Sequence, residues 1–117
     1  MPSNTLLPSL RRRKEISITV RGRRTGRKIT LPVWFVLEGG TMWLLPVTGS
    51  HSQWFRNVQA DPTIVIRAGG RRGTVTGEPV IGRAPVRPVV ERFREKYGRG
   101  DVSRYYGRFD AAVRIPL

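Results

Sequence analysis

The sequence contains no cysteine, one histidine and only eight acidic residues among its 117 positions. Without cysteine there are no disulfide bonds, thiolate catalysts or cysteine-ligated metal sites, and a reducing cytoplasm is the expected location. The acidic residues are scattered, so the sequence indicates neither a carboxylate cluster for a metal ion nor a converging carboxylate pair for glycoside chemistry. We therefore predict no metal site.

Three further absences exclude particular classes of catalytic and binding site. His51 is the single histidine, no carboxylate pattern accompanies it, and we expect a solvated loop residue rather than a member of a catalytic triad. Lys28 follows Arg27 and precedes Ile29, which does not fit a phosphate-binding Walker loop. No apolar run is long enough to predict a signal peptide or a membrane span. If the protein is an enzyme, a bound organic cofactor is expected to carry the reaction, and we assign no catalytic side chain.

The most prominent feature that is present is positive charge. The chain has 22 Lys and Arg against eight Asp and Glu, a formal net charge of +14, with 38% hydrophobic residues. The hydrophobic content and length fit one globular domain, and the charge points to a partner with several phosphates or carboxylates. We predict a flexible basic N-terminal arm over residues 1–14 and a single cofactor-binding domain over residues 15–117.

Residues 21–28 concentrate the charge, with the sequence Arg-Gly-Arg-Arg-Thr-Gly-Arg-Lys. Glycine allows backbone N–H groups to converge on one point, and arginine binds a phosphate or carboxylate through two parallel hydrogen bonds. We interpret the segment as an anion-binding loop. A solvated hairpin tip and an unspecific polyanion patch remain alternatives.

Period-two hydrophobicity predicts strands over residues 15–20, 29–37, 42–47, 64–67, 74–80 and 111–117. We expect the 29–37 strand to be buried on both faces. Helical spacing predicts a short helix that begins after Ser50 or Ser52 and ends at Asp61, and a second helix over residues 85–97 that Gly98 terminates. Residues 99–106 fit a short helix or a loop. These elements predict a mostly β (α+β) fold class, a small antiparallel β-barrel with two or three short helices.

Three segments resemble one protein family, the deazaflavin-dependent nitroreductase and quinone reductase family. Residues 19–33 resemble its basic glycine loop and the following strand, which has a proline near its start. Residues 45–62 resemble its small-residue turn and its aromatic helix, which contains an asparagine and ends at a proline. Residues 73–77 resemble the next strand. Members have the split β-barrel fold of the flavin-binding pyridoxamine phosphate oxidase-like proteins, so the resemblance implies that fold here.

The resemblance also implies a function. Family members bind the deazaflavin coenzyme F420, or FMN in some branches, and transfer a hydride to quinones, nitro compounds or similar acceptors. By position, the implied phosphate contacts are Arg24, Thr25, Gly26, Arg27 and Lys28. The residues implied to border and shape the ring pocket are Pro46, Val47, Thr48, Gly49, Ser50, Trp54 and Asn57, with Tyr105 and Tyr106 on the substrate side. The related fold is usually a homodimer, so we expect a homodimer here.

Alternatives stay open at this point. Ile29 stands where the family often has a further arginine, which leaves Lys28 or Arg27 to make that contact. A small basic β-barrel that binds nucleic acid, with Trp34, Trp43 or Tyr105 as stacking surfaces, accounts for the charge more directly. A carrier of a flavin or a tetrapyrrole on the same fold, without redox activity, is a third possibility.

Overall fold

The computed structural model describes residues 10, 11 and 13–117. These residues form two four-stranded antiparallel sheets, with strand orders β2-β1-β5-β6 and β3-β4-β8-β7. The strands are β1 (Ile16–Arg21), β2 (Lys28–Val33), β3 (Phe35–Glu38), β4 (Thr41–Leu44), β5 (Thr63–Ala68), β6 (Arg71–Thr76), β7 (Glu78–Ile81) and β8 (Ala111–Pro116). The helices are α1 (Gln53–Ala60), α2 (Arg83–Tyr97) and α3 (Arg99–Tyr105), and Gly49–His51 form a 3-10 turn.

The predicted split-barrel α+β architecture is confirmed. The two sheets enclose one hydrophobic core, to which β1 contributes Ile16, Ile18 and Val20 while Ser17 and Thr19 face outward. Much of the N-terminal arm predicted over residues 1–14 lies outside the described residues, but Leu10 is fully buried in this core. Among the described residues, no helix is long and apolar enough to cross a membrane.

Two of the predicted strands are each split between the two sheets. The predicted strand over residues 29–37 divides at Trp34 into β2 and β3, and the one over residues 74–80 divides at Gly77 into β6 and β7. The expectation of burial on both faces holds at the start of β3, where Phe35 and Val36 are buried, and is wrong for β2. The reason is that helix α2 covers the outer face of the second sheet, whereas the outer face of the first sheet, which includes Thr19, Lys28 and Arg67, faces an open cleft.

Helix α2 covers the outer face of the second sheet. Its Val86, Val89 and Phe93 pack with Val36 and Ala112 in a second hydrophobic cluster. The helix begins two residues before the predicted position and tolerates Pro88 in its second turn. Residues 99–105, for which a helix and a loop were both open, form α3.

Helix α1 begins and ends as the sequence predicts. The Ser52 hydroxyl accepts a hydrogen bond from the Phe55 backbone N–H at 3.5 Å, and the helix ends before Asp61 and Pro62. Its buried face, including Phe55 and Val58, packs into the core between the sheets.

The close packing around Gly77, where the chain crosses from β6 to β7, can be tested. A Cβ atom at Gly77 would lie 2.8 Å from the Ile64 Cδ1 and Val113 Cγ1 atoms, so Gly77→Ala is expected to lower the free energy of unfolding by about 1–3 kcal/mol. Urea denaturation measures the change. Gly100→Ala is the matched control, because no atom lies within 4 Å of its built Cβ and alanine favours the α3 helix. Equal stabilities of the two variants would contradict the tight sheet crossing.

Candidate functional site

The basic loop between β1 and β2 is fixed by its own backbone. The Gly22 N–H donates to the Arg27 carbonyl at 2.7 Å, and the Gly26 N–H donates to the Gly22 carbonyl at 2.8 Å. Gly26 has φ of +74°, which favours glycine, and the Thr25 hydroxyl accepts from the Arg27 N–H at 3.2 Å. Residues 24–28 are all exposed, so the side chains of Arg24, Arg27 and Lys28 are accessible to an anion.

Arg23 does not belong to this accessible group, because its side chain turns to helix α1. Its backbone N–H and its Nη1 both donate to the Asn57 Oδ1, at 3.1 and 2.8 Å, and its Nη2 donates to the Gln53 Oε1 at 2.7 Å. Asn57 is only 4% exposed. Sequence reasoning placed Asn57 beside a ring pocket. The structure places it under the basic loop, where it anchors the loop to the helix, while Trp54 lies in the core.

The small-residue turn over residues 46–50 is held by Asp110. The Ser50 N–H donates to Asp110 Oδ1 at 2.9 Å and the Ser50 hydroxyl donates to Oδ2 at 2.6 Å. Gly49 has φ of +58°, and a Cβ atom there would collide with the Asp110 carboxylate. Asp110 therefore requires glycine at one position of the turn and serine at the next.

Arg108 completes the Asp110 cluster by donating from its Nε to Oδ2 at 2.9 Å. The Asp110 side chain is only 15% exposed, and burial by itself would raise the pKa of its carboxyl. The hydrogen bonds from Ser50 and the charge and hydrogen bond of Arg108 outweigh burial and lower that pKa well below its usual range. Sequence reasoning missed Asp110, because an isolated acid 60 residues from its partner has no local signal.

A cleft of about 340 Å³ opens beside the small-residue turn. It brings together Val47 and the two predicted tyrosines, Tyr105 and Tyr106, although the segments are far apart in sequence. Val47 is 48% exposed and Tyr105 is 52% exposed, so both are accessible from solvent. The remaining lining residues are Glu15, Pro32, Val33 and Trp34, and Glu15 was not among the predicted site residues.

The Tyr97 ring stacks on one face of the Trp34 ring. The two rings stack with centroids 4.2 Å apart and an interplanar angle of 8°, and Tyr105 meets Trp34 edge-on at 5.6 Å. The Tyr97 hydroxyl accepts from the Phe35 N–H at 3.1 Å and lies 2.7 Å from the Lys14 carbonyl and 2.8 Å from the Phe35 carbonyl. The hydroxyl has one proton and donates it to one of the two carbonyls at a time. These hydrogen bonds hold in place the aromatic wall of the cleft, which we define as Trp34, Tyr97 and Tyr105.

The half-buried Tyr97 and the buried Tyr106 are both held in the protonated form. Burial raises the pKa of Tyr97 to about 12; the hydrogen bond to Phe35 opposes the rise and the charge of Glu15 adds to it. Burial, and secondarily Tyr97, raises the pKa of Tyr106 even further. At neutral pH these hydroxyls can donate hydrogen bonds but cannot act as bases.

Strand β2 connects the basic loop to the cleft. It begins at Lys28 in the loop and ends at Val33 in the cleft lining, a distance of about 17 Å at the usual rise of about 3.3 Å per residue. Among the described residues β2 pairs only with β1, so its other edge has no described strand beside it. The exposed basic loop and the aromatic cleft thus lie at the two ends of this strand edge. Pockets of this kind, apolar with a few polar groups, suit small-molecule ligands.

Comparison with known proteins identifies one family. The model of the family described as F420H(2)-dependent quinone reductase matches residues 6–109. No curated protein that was compared with the chain matches it.

Solved structures share the fold. An F420-H2 dependent reductase is 21% identical, with a TM-score of 0.67 over 88% of this chain and 94% of the other. A putative pyridoxamine 5'-phosphate oxidase from Listeria innocua is 11% identical, with a TM-score of 0.70 over 98% and 92%. A protein described as a domain-swapped dimer is 21% identical, with a TM-score of 0.67 over 88% and 80%.

The Arg23 anchor can be tested apart from any ligand. Asn57→Ala removes the acceptor of the Arg23 N–H and Nη1, and we expect it to lower the free energy of unfolding by about 1–3 kcal/mol. Gln59→Ala on the exposed side of the same helix should change it by less than about 0.5 kcal/mol. Urea denaturation compares the two variants, and equal losses of stability would contradict the anchor.

The Asp110 cluster predicts a pH dependence. Because the pKa of the Asp110 carboxyl is lower in the folded protein than in the unfolded chain, its stabilisation is complete above the ordinary pKa of an aspartate and is lost as the pH falls through the folded pKa. We expect the unfolding free energy of Asp110→Asn to be lower at neutral pH and to fall less steeply with acid than that of the unaltered protein. Asp101→Asn, at an exposed position on α3, should keep the steep acid dependence. Parallel acid profiles for Asp110→Asn and the unaltered protein would contradict the assignment.

Proposed function

Because the chain belongs to the F420H(2)-dependent quinone reductase family, we propose that it transfers a hydride from the reduced deazaflavin cofactor F420 to a quinone, a nitro compound or a similar small acceptor. The observation that carries the proposal is that an exposed basic loop and an aromatic cleft lie at opposite ends of β2. A cofactor with a ring at one end and a phosphate at the other needs an aromatic or apolar surface for the one and basic groups for the other.

The residues present fit such a cofactor. Its phosphate would lie at the exposed loop, against Arg24, Thr25, Gly26, Arg27 and Lys28. Its ring would lie along β2 beside the turn formed by Pro46, Val47, Thr48, Gly49 and Ser50. Trp54 and Asn57 would support this arrangement from within, since both are buried. FMN, which has the same ring-to-phosphate plan, is the alternative cofactor.

The bound cofactor would supply the hydride, and the protein would supply position and shape. Arg24 and Arg27 would fix the anionic end, and the turn held by Asp110 would fix the edge of the ring. Tyr105 and Tyr106 line the cleft where an acceptor would lie, and Tyr106 keeps its proton and can donate a hydrogen bond. No side chain is needed as a base.

A homodimer is part of the proposal. One structural neighbour is described as a domain-swapped dimer. Ile29 and Ile81 are 42% and 59% exposed, and large exposed apolar side chains favour burial against a partner. A location in the cytoplasm stays a prediction from composition.

The test measures cofactor binding directly. We expect the unaltered protein to bind F420, followed by the change in cofactor absorbance or fluorescence, and to bind it more tightly than FMN. The double variant Arg24→Ala/Arg27→Ala should weaken F420 at least tenfold, a loss of about 1.4 kcal/mol, because it removes two charge-assisted contacts to phosphate. Its thermal unfolding should be unchanged, since both side chains are exposed.

Arg83→Ala/Arg87→Ala is the matched control. It removes the same charge from exposed positions on α2 and should leave F420 affinity within about twofold. Equal weakening by both pairs would assign the effect to net charge and not to the loop. Exclusive, steeply salt-dependent binding to short DNA would favour the nucleic-acid alternative and overturn the oxidoreductase proposal.

A further inference from the structure

We propose that the acceptor cleft selects planar aromatic cations, such as N-alkylated heteroaromatic rings, over neutral rings of the same shape. The inference rests on the proposed function, whose acceptor it specifies. Two features of the cleft carry it: a carboxylate in the lining and the faces of electron-rich aromatic rings.

Among the described residues that line the cleft, Glu15 is the one that carries a charge. In a chain with 22 basic and eight acidic residues, most concave surfaces are expected to carry positive charge. Other clefts follow that expectation: one is lined by Lys28, Arg67 and Arg72, and another by Arg83, Arg87 and Arg94. The aromatic cleft differs from these two clefts, because the charged side chain in its lining is an acid and not a base.

The backbone fixes the position of Glu15. On one side the Lys14 carbonyl lies 2.7 Å from the Tyr97 hydroxyl, and on the other side Ile16 is 3% exposed and begins β1. No described residue forms an ion pair with Glu15. The backbone of Glu15 is thus held at the cleft, and its exposed side chain is accessible to a ligand.

The aromatic wall favours the same charge. Trp34 lines the cleft and is stacked on Tyr97 on one side, while Tyr105 stands almost perpendicular to it at 83°. A cation above an indole face is attracted by the ring quadrupole, and tryptophan gives the strongest attraction among the aromatic side chains. A planar cation can stack on the Trp34 ring and place its charge near Glu15 at the same time, whereas a neutral ring gains only the stacking.

The chemistry of hydride transfer suits such an acceptor. An N-alkylated heteroaromatic cation would accept a hydride at a ring carbon: a C–H bond of the reduced deazaflavin would break, a C–H bond to the ring would form, and the ring would be reduced by two electrons as the deazaflavin is oxidised. The positive charge disappears, and no proton is required. A quinone needs a proton in addition to the hydride. The neutral product no longer attracts Glu15, so loss of the charge also promotes its release.

The experiment compares two ligands of nearly the same shape. N-methylphenazinium and phenazine share a tricyclic ring and differ in charge, and their binding to the oxidised, cofactor-loaded protein is measured by equilibrium dialysis at low ionic strength. We expect the cation to bind about tenfold more tightly than phenazine, and the ratio to fall below about threefold in Glu15→Gln. Binding is read out without turnover.

Glu95→Gln is the control, since it changes net charge equally from an exposed position on α2 and should keep the preference of the unaltered protein. Equal binding of the two ligands by the unaltered protein would overturn the inference. So would an equal loss of preference in Glu15→Gln and Glu95→Gln.

F420 affinity is measured on the same samples. Tight F420 binding without a preference for the cation would sink the selectivity and leave the proposed function standing. If the unloaded protein prefers the cation but does not bind F420, the selectivity of the cleft stands and the proposed function is wrong.

Discussion

The site depends on the way in which the chain crosses between its two sheets. At Trp34 and at Gly77 the backbone leaves one sheet and enters the other without a turn, so a single extended segment contributes to both. Gly77 makes the second crossing possible, because the side chains of Ile64, Val58 and Val113 fill the space that any larger residue would need. The first crossing places Trp34 at the seam between the sheets, and the aromatic cleft opens there.

Two polar clusters then fix the loops around the seam. Asn57 binds the basic loop through Arg23, and Asp110 binds the small-residue turn through Ser50. Each cluster connects a loop to a regular element or a distant segment through a mostly buried side chain, so the loops are ordered before any ligand arrives. Such preorganisation lowers the conformational entropy that ligand binding must otherwise overcome.

Local sequence signals predicted a small antiparallel β-barrel and the ends of α1. The split-barrel class and the assignment of Val47, Tyr105 and Tyr106 to one site came from the family resemblance. Period-two alternation identifies a strand but does not say which sheet it joins, and that is why the segments around Trp34 and Gly77 looked like single strands. The roles of Asp110 and Glu15 could not be predicted from the sequence for a different reason. Each lies close to residues that are far away in sequence, and a single acidic residue forms no sequence pattern that would identify its partner.

The free edge of β2 has a further consequence, for the behaviour of the protein in a crowded solution. An unpaired strand edge is a template on which another extended chain can add, and this is a common route to aggregation. Here the edge carries Lys28 at its start and Pro32 near its end, and proline has no N–H to offer to a ladder. A second strand that paired with this edge would lie against the charge of Lys28 at one end and would lack a hydrogen-bond donor at Pro32 near the other. A small molecule with its own hydrogen-bonding groups needs only the part between them, so the edge can admit a ligand while discouraging a chain.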